Sequence, residues 1–217
     1  MTILEFYKNN VTNHIIYEKA IDYLLNDMLI KKLYGNNKIK ELDGINQESL
    51  MINEFYPSCI YTFLYTLPDK QHVDHVYYTD YIPLILCFGI GSKFVYGLNF
   101  NIIPNIYRAA ILNIIQNTNI NFYNNDISYY VENNLVGINK QFASILINEN
   151  SRLKFIDLIS NKLNINLKLA YRKYNKEYIK NARLIEYSSW KYIPFFDSDL
   201  SFRNTNLKLL QNKIIKQ

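Results

Sequence analysis

The sequence has little of the material from which reactive or cross-linked sites are made. It holds two cysteines, three histidines and one tryptophan. A structural disulfide between the two cysteines would need an oxidising compartment. Cys59 and Cys87 both stand in or beside apolar runs, where buried free thiols are expected. A metal centre needs clustered His, Cys or carboxylate ligands, and three histidines leave few ways to assemble one. Glycine and proline are scarce, at six and five, and no linker, repeat or sustained heptad is present. Apolar runs are short. Ile82–Ile90 falls far below the roughly 20 residues that a membrane-spanning helix requires. The first dozen positions include Glu5 and several polar residues, unlike a secretory leader. A soluble chain without membrane contact is the expectation.

What is present is a core-forming chain rich in aromatics. The hydrophobic fraction of its 217 residues is 49%, ample for one domain with a small appendage. There are 20 tyrosines and 12 phenylalanines, beside a visible excess of Asn, Ile and Lys. AT-rich codons account for that bias. Tyrosine also suits interfaces, having a large rigid face and a polar tip. The net charge of +5 is unevenly spread. Residues 1–57 carry −2 and residues 58–150 carry −2, whereas residues 151–191 carry +7.

Periodicity divides the chain into three parts: an N-terminal helical segment over 1–57, a β-hairpin core with a following helix over 58–117, and a mixed helical and β region with a basic surface over 118–217. Ile15, Ile16, Ala20, Ile21, Leu24, Leu25, Met28, Leu29 and Leu33 form a stripe at helical spacing, so a helix is predicted over 12–34. A shorter one is predicted over 47–55. The β-formers Cys59–Tyr65, Pro83–Phe88 and Phe94–Phe100 predict three strands, the last two joined as a hairpin through Gly89, Gly91 and Ser92. Pro104 opens a helix through Ile115. Two short helices are predicted over 126–149, and another over 151–163. Tyr171–Ile179 reads as a basic helix, Ala182–Tyr187 as a strand, and Tyr192–Phe196 as a last strand. The predicted fold class is α+β, a small antiparallel sheet or SH3-like partial barrel packed with helices, because so short a meander must pack on helices or close on itself.

Chemistry-bearing groups are few. His72 and His75 flank Asp74 in a polar stretch that reads as an exposed loop. Asp69, Asp74 and Asp80 share one segment, and Asp197 and Asp199 form a spaced pair, but no motif supplies a third partner of the kind two-metal nucleases use. Gly89-Ile90-Gly91-Ser92 lacks the Lys-Ser/Thr of a phosphate loop and reads as a turn. No catalytic, cofactor-binding or metal-binding residue is therefore assigned, no cofactor is expected, and the chain does not read as an enzyme. The one charged concentration is basic. Arg172, Lys173, Lys176, Lys180 and Arg183 are the candidate contacts to phosphate or to acidic partners, with Tyr171, Tyr174 and Tyr178 interleaved. Lysine outnumbers arginine, which suits charge contact better than base reading.

Three blocks carry a resemblance. The first is Ile60-Tyr61-Thr62-Phe63-Leu64-Tyr65 followed by Tyr77-Tyr78-Thr79-Asp80-Tyr81-Ile82-Pro83-Leu84-Ile85. The second runs from Tyr96-Gly97-Leu98-Asn99-Phe100 through Ile103-Pro104 to Arg108 and Ile111-Leu112. The third is Arg183-Leu184-Ile185-Glu186 with Trp190 after it. Together they resemble a family of structural proteins of large tailed bacteriophages, over about residues 58–115 and more weakly over 170–196. The chain departs from that pattern at Phe100-Asn101, where the family more often has Leu-His, and at Pro57-Ser58 in place of Pro-Gly. The resemblance implies that Asp80, Pro83, Gly97, Asn99, Pro104 and Arg108 are framework positions, and an Asp80–Arg108 pair locking helix to sheet is the expectation. It implies a virion protein, assembled in the host cytoplasm, of the neck, connector, tail or DNA-end region. Its partners would be other virion structural proteins, in a ring-like homo-oligomer. The competing expectation is a DNA-binding or DNA-end-associated accessory protein using the basic 151–191 region.

Overall fold

The computed structural model describes residues 1–24, 55–57, 59–65, 82–117, 149–185, 187–196 and 212–215. The chain begins with two helices, α1 (Ile3–Asn10) and α2 (His14–Leu24). Thr2 caps α1 reciprocally: its hydroxyl accepts from the Glu5 amide, and the Glu5 carboxylate accepts from the Thr2 amide. The Thr2 amide's hydrogen bond, with a smaller contribution from the Thr2 side chain, holds the Glu5 carboxyl below its usual range.

Three strands follow, β1 (Ile60–Tyr65), β2 (Leu84–Ile90) and β3 (Phe94–Asn99). A short 3-10 turn over Phe100–Ile102 leads into α3 (Asn105–Asn117), and α4 spans Glu149–Leu163. Asn164 ends α4 in the left-handed conformation, with φ 52°. Its amide donates to the Asn161 carbonyl and that of Ile165 to the Ser160 carbonyl, which together satisfy two of the carbonyls a helix end leaves open. Strands β4 (Tyr171–Asn175) and β5 (Ile179–Ile185) complete the sheet, separated only by a 3-10 turn over Lys176–Tyr178. A further 3-10 stretch runs over Tyr187–Phe195.

The fold is α+β, with one five-stranded antiparallel sheet in the order β4-β3-β2-β1-β5. The expected strands and hairpin are present, and strands from the C-terminal third join those of the middle in one sheet. The helix expected over Tyr171–Ile179 is instead β4, the 3-10 turn and the start of β5. The tyrosines at helical spacing are misleading there. Tyr174 is buried while its neighbour Lys173 is exposed, and Tyr171–Asn175 pairs in register with β3 from Leu98 to Phe94. The last strand expected at Tyr192–Phe196 is likewise replaced by the 3-10 stretch. Helix α2 covers the described part of the long N-terminal helix, and α1 is an addition. The helices expected over 126–149 lie outside the described residues except for Glu149, and the one over 47–55 likewise except for Phe55.

The sheet curls until its two edge strands are joined by three residues, so it remains unclosed by hydrogen bonds but encloses a small interior. Tyr174 of β4 meets Phe63 and Tyr65 of β1 edge to face, at 5.2 and 5.1 Å, although two strands stand between them in the sheet. The Asn175 amide donates to the Tyr65 hydroxyl at 3.1 Å. The enclosed cluster is Cys59, Tyr61, Phe63, Ile85, Cys87, Val95, Tyr174, Ala182 and Leu184, with Phe55 and Tyr56 at one end. The outer face carries the larger core. There Ile60, Leu86, Phe88, Leu98 and Ile185 meet the helices and the 3-10 stretch, through Ile3, Tyr7, Leu112, Ile156, Trp190 and Phe195. Along β2, Ile85 and Cys87 face inward and Leu86 and Phe88 outward, and the register with β3 slips between Cys87 and Gly89.

The two thiols lie in the same enclosed cluster, and the Cys87 amide donates to the carbonyl of Cys59, just before β1, at 2.8 Å. Both are free and buried. Burial pushes the Cys59 thiol up to about 12 and that of Cys87 higher still, with the neighbouring Cys59 adding to the latter. The reactive species is the thiolate. An aromatic disulfide reagent at neutral pH is therefore expected to titrate neither thiol in the folded chain and both after denaturation in guanidinium. Native-state labelling of either one would contradict this arrangement.

Candidate functional site

The polar residues quoted in the resemblance gather where β3 passes into α3. Gly97 lies opposite Cys87 on β2, and a Cβ placed on it would stand 2.5 Å from the Leu86 carbonyl oxygen. Only glycine lets β3 approach β2 so closely. Asn99, fully buried, caps the 3-10 turn by accepting from the Asn101 amide at 3.0 Å and donates from Nδ2 to the Tyr174 hydroxyl at 3.1 Å. Asn101 donates to the Ile82 carbonyl at 2.8 Å and so ties the turn to the segment entering β2. Pro104 cannot donate a backbone hydrogen bond, and its carbonyl accepts from the amides of Tyr107 and Arg108 as α3 begins.

Arg108 is the largest polar group in this region and is 1% exposed. Its Nε donates to the Ile103 carbonyl at 2.6 Å, and its terminal nitrogens donate to the carbonyls of Phe196, Ile193 and Asn101. The guanidinium fork thus binds two separate stretches of backbone: the turn between β3 and α3, at Asn101 and Ile103, and the end of the C-terminal 3-10 stretch, at Ile193 and Phe196. Asp80, its expected partner, lies outside the described residues. Periodicity did not point to the carbonyls. They belong to the backbone, and no residue type announces them.

The basic candidates do not form one surface. Arg172 donates to the carbonyls of Leu169 and Tyr171. Lys173 is exposed, its ammonium 3.9 Å from the centre of the Phe94 ring. Lys180 is exposed at the start of β5, and Lys176 is half-buried in the turn before it. Arg183 is 2% exposed. Other basic residues of the segment are also engaged. Lys168 pairs with Asp157 at 2.8 Å. Arg152, on α4, lies 4.7 Å over the Tyr96 ring and donates to the Tyr171 hydroxyl, while Gly89 leaves room for its head group. Arg152 was not singled out by position, although its burial on a helix facing the sheet makes it the clasp between α4 and β2–β4.

No family model, curated protein or solved structure matches this chain. Among the described residues no group of three or more His, Cys, Asp or Glu is placed to hold a metal ion, and no helix is long and apolar enough to cross a membrane. His72, His75, Asp69, Asp74, Asp197 and Asp199 lie outside the described residues. His14 is exposed on α2, beside Tyr17. What the arrangement can do chemically is hold backbone segments together and present a curled sheet with two edge strands.

Proposed function

We propose that the chain is a structural and assembly protein of a tailed bacteriophage virion, working at the portal, neck or tail region through contacts with other virion subunits and not as an enzyme. The observation that carries this reading is the use to which the quoted framework residues are put. Gly97, Asn99, Pro104 and Arg108 shape and brace the junction of β3 and α3, and each is spent on backbone approach or backbone hydrogen bonding. Resemblance in such residues is resemblance in architecture.

The competing DNA-binding reading needs a continuous cationic track. Arg172, Lys168, Arg152 and Lys173 are instead engaged with carbonyls, a carboxylate and aromatic rings, and Arg183 is buried. That dispersal supports protein contact over phosphate contact. Native mass spectrometry is expected to find a defined multiple of the 25.8 kDa chain, consistent with a repeated head-to-tail interface. A salt-titrated DNA-binding assay is expected to show weak association with a shallow slope. A strictly monomeric chain that binds DNA tightly, with affinity falling about a thousandfold or more between 50 and 200 mM salt, would overturn the proposal.

A further inference from the structure

Arg183 differs from every other described arginine. It lies on the edge strand β5, opposite Thr62 of β1, and both residues are 2% exposed. Its neighbours Ala182 and Leu184 point into the enclosed interior, so Arg183 points to the outer face, the side on which Ile60 and Ile185 join the larger core. All three of its guanidinium nitrogens, Nε and both terminal ones, are buried without a hydrogen-bond acceptor among the described residues. Arg108, equally buried, shows the contrast, because four carbonyls receive it.

A guanidinium carries five donors in a planar fork and stays charged at any ordinary pH. Leaving such a fork buried and unmet is among the most costly arrangements a fold can retain. The position is also a deliberate one in the backbone. Two residues before it, Asn181 takes φ 52°, at the point where the β1–β5 register slips between Thr62 and Leu64. Bulges of this kind re-aim a side chain. Here the slip precedes the pair Thr62–Arg183 and leaves the arginine facing the covered side of the sheet.

We infer that Arg183 is the receptor of a buried oxyanion site, taking a small planar or tetrahedral anion, a carboxylate or a phosphate, in a bidentate grip. The fork geometry selects that chemistry, since two parallel N–H groups match two oxygens of one anion. Burial selects a small ligand, because a nucleic-acid backbone or a broad protein surface cannot reach a group so enclosed. The register sets Thr62 opposite Arg183 on the same face, so its hydroxyl is the candidate for a further donor. This inference is independent of the assembly role proposed above.

The test compares thermal unfolding of the full chain and of Arg183→Met in chloride, phosphate and acetate at equal pH and ionic strength. In chloride, Arg183→Met is expected to melt higher than the parent by about 3 °C or more, because it removes an unmet buried charge and keeps the volume. In tens of millimolar phosphate or acetate, the parent is expected to gain by a saturating increment that the variant lacks. General salting effects of these anions move both chains equally and cancel in the comparison. The larger differential gain identifies the anion class, phosphate or carboxylate. Arg183→Lys, which lacks the fork, is expected to show less than half the gain, and it carries the same comparison should the methionine variant fail to fold. Two results overturn the site: Arg183→Met melting below the parent in chloride, which means the arginine is already satisfied within the chain, or equal anion gains in parent and variants.

Discussion

Replacing Arg108 with methionine is expected to lower the unfolding free energy by about 3 kcal/mol or more, the largest effect of any single side chain described. The argument weighs two opposed quantities. Methionine fills much of the volume and removes a desolvated cation, which favours the variant. It also leaves the carbonyls of Ile103, Phe196, Ile193 and Asn101 without the donor that holds them. A buried polar group deprived of its partner costs on the order of 1–3 kcal/mol, and several are orphaned at once, so the loss outweighs the gain. The damage has an address. Residues 193 and 196 close the C-terminal 3-10 stretch, so hydrogen exchange is expected to quicken first over 187–196 and the start of α3. Arg108→Lys keeps the charge but cannot span several carbonyls, and it is expected to fall between parent and methionine variant. An unchanged melting temperature in Arg108→Met would remove this residue from the framework.

Gly97→Ala is expected to cost about 2 kcal/mol or more. The added Cβ would stand 2.5 Å from the Leu86 carbonyl oxygen and 3.2 Å from its carbon. These are backbone atoms of a paired strand, and they cannot rotate aside as the end of a side chain can. Relief requires β2 and β3 to separate, which loosens the hydrogen bonds that join them. Gly91→Ala is the internal control, because the nearest atoms to its added Cβ lie at 3.6 Å, ordinary contact distance. Denaturant unfolding of the two variants should therefore separate clearly, with Gly91→Ala close to the parent. Equal stability of the two would show that the sheet yields at Gly97.

Much of the sheet was legible because its residues speak locally. Ile60–Tyr65 is an unbroken run of β-formers, and Gly89 to Ser92 punctuates a hairpin where one exists. α4 announced itself through Leu153, Ile156 and Ile159, with Asn164 in the position of a helix-ending residue. β4 did not. Five residues are too few to display alternation, and Tyr171, Tyr174 and Tyr178 happen to fall at helical spacing. Pairing with β3, which no local pattern encodes, decides the outcome. The curl of the sheet was hidden for the same reason, since the Tyr65 hydroxyl meets the Asn175 amide only once both edges are in place. At the junction of β3 and α3, residue types identified Gly97, Asn99 and Arg108 but not their partners. Arginine in a sequence suggests a carboxylate, and the groups that hold Arg108 here are carbonyls. The basic candidates shared a stretch of chain but not a surface, because alternating strand positions and the Lys176–Tyr178 turn scatter them.

Ile60 pairs with Ile185, and β1, flanked by β2 on one side, finds no partner for its other edge until β5 arrives. During synthesis the ribosome must therefore release nearly the whole polypeptide before β1 gains its second neighbour. Until then β1 exposes a row of unsatisfied amides and carbonyls on a run of apolar residues, the state in which nascent chains aggregate. Closing so long a span also makes the folding step slow relative to that of a local hairpin. A polypeptide ending before residue 179 would keep that strand open permanently.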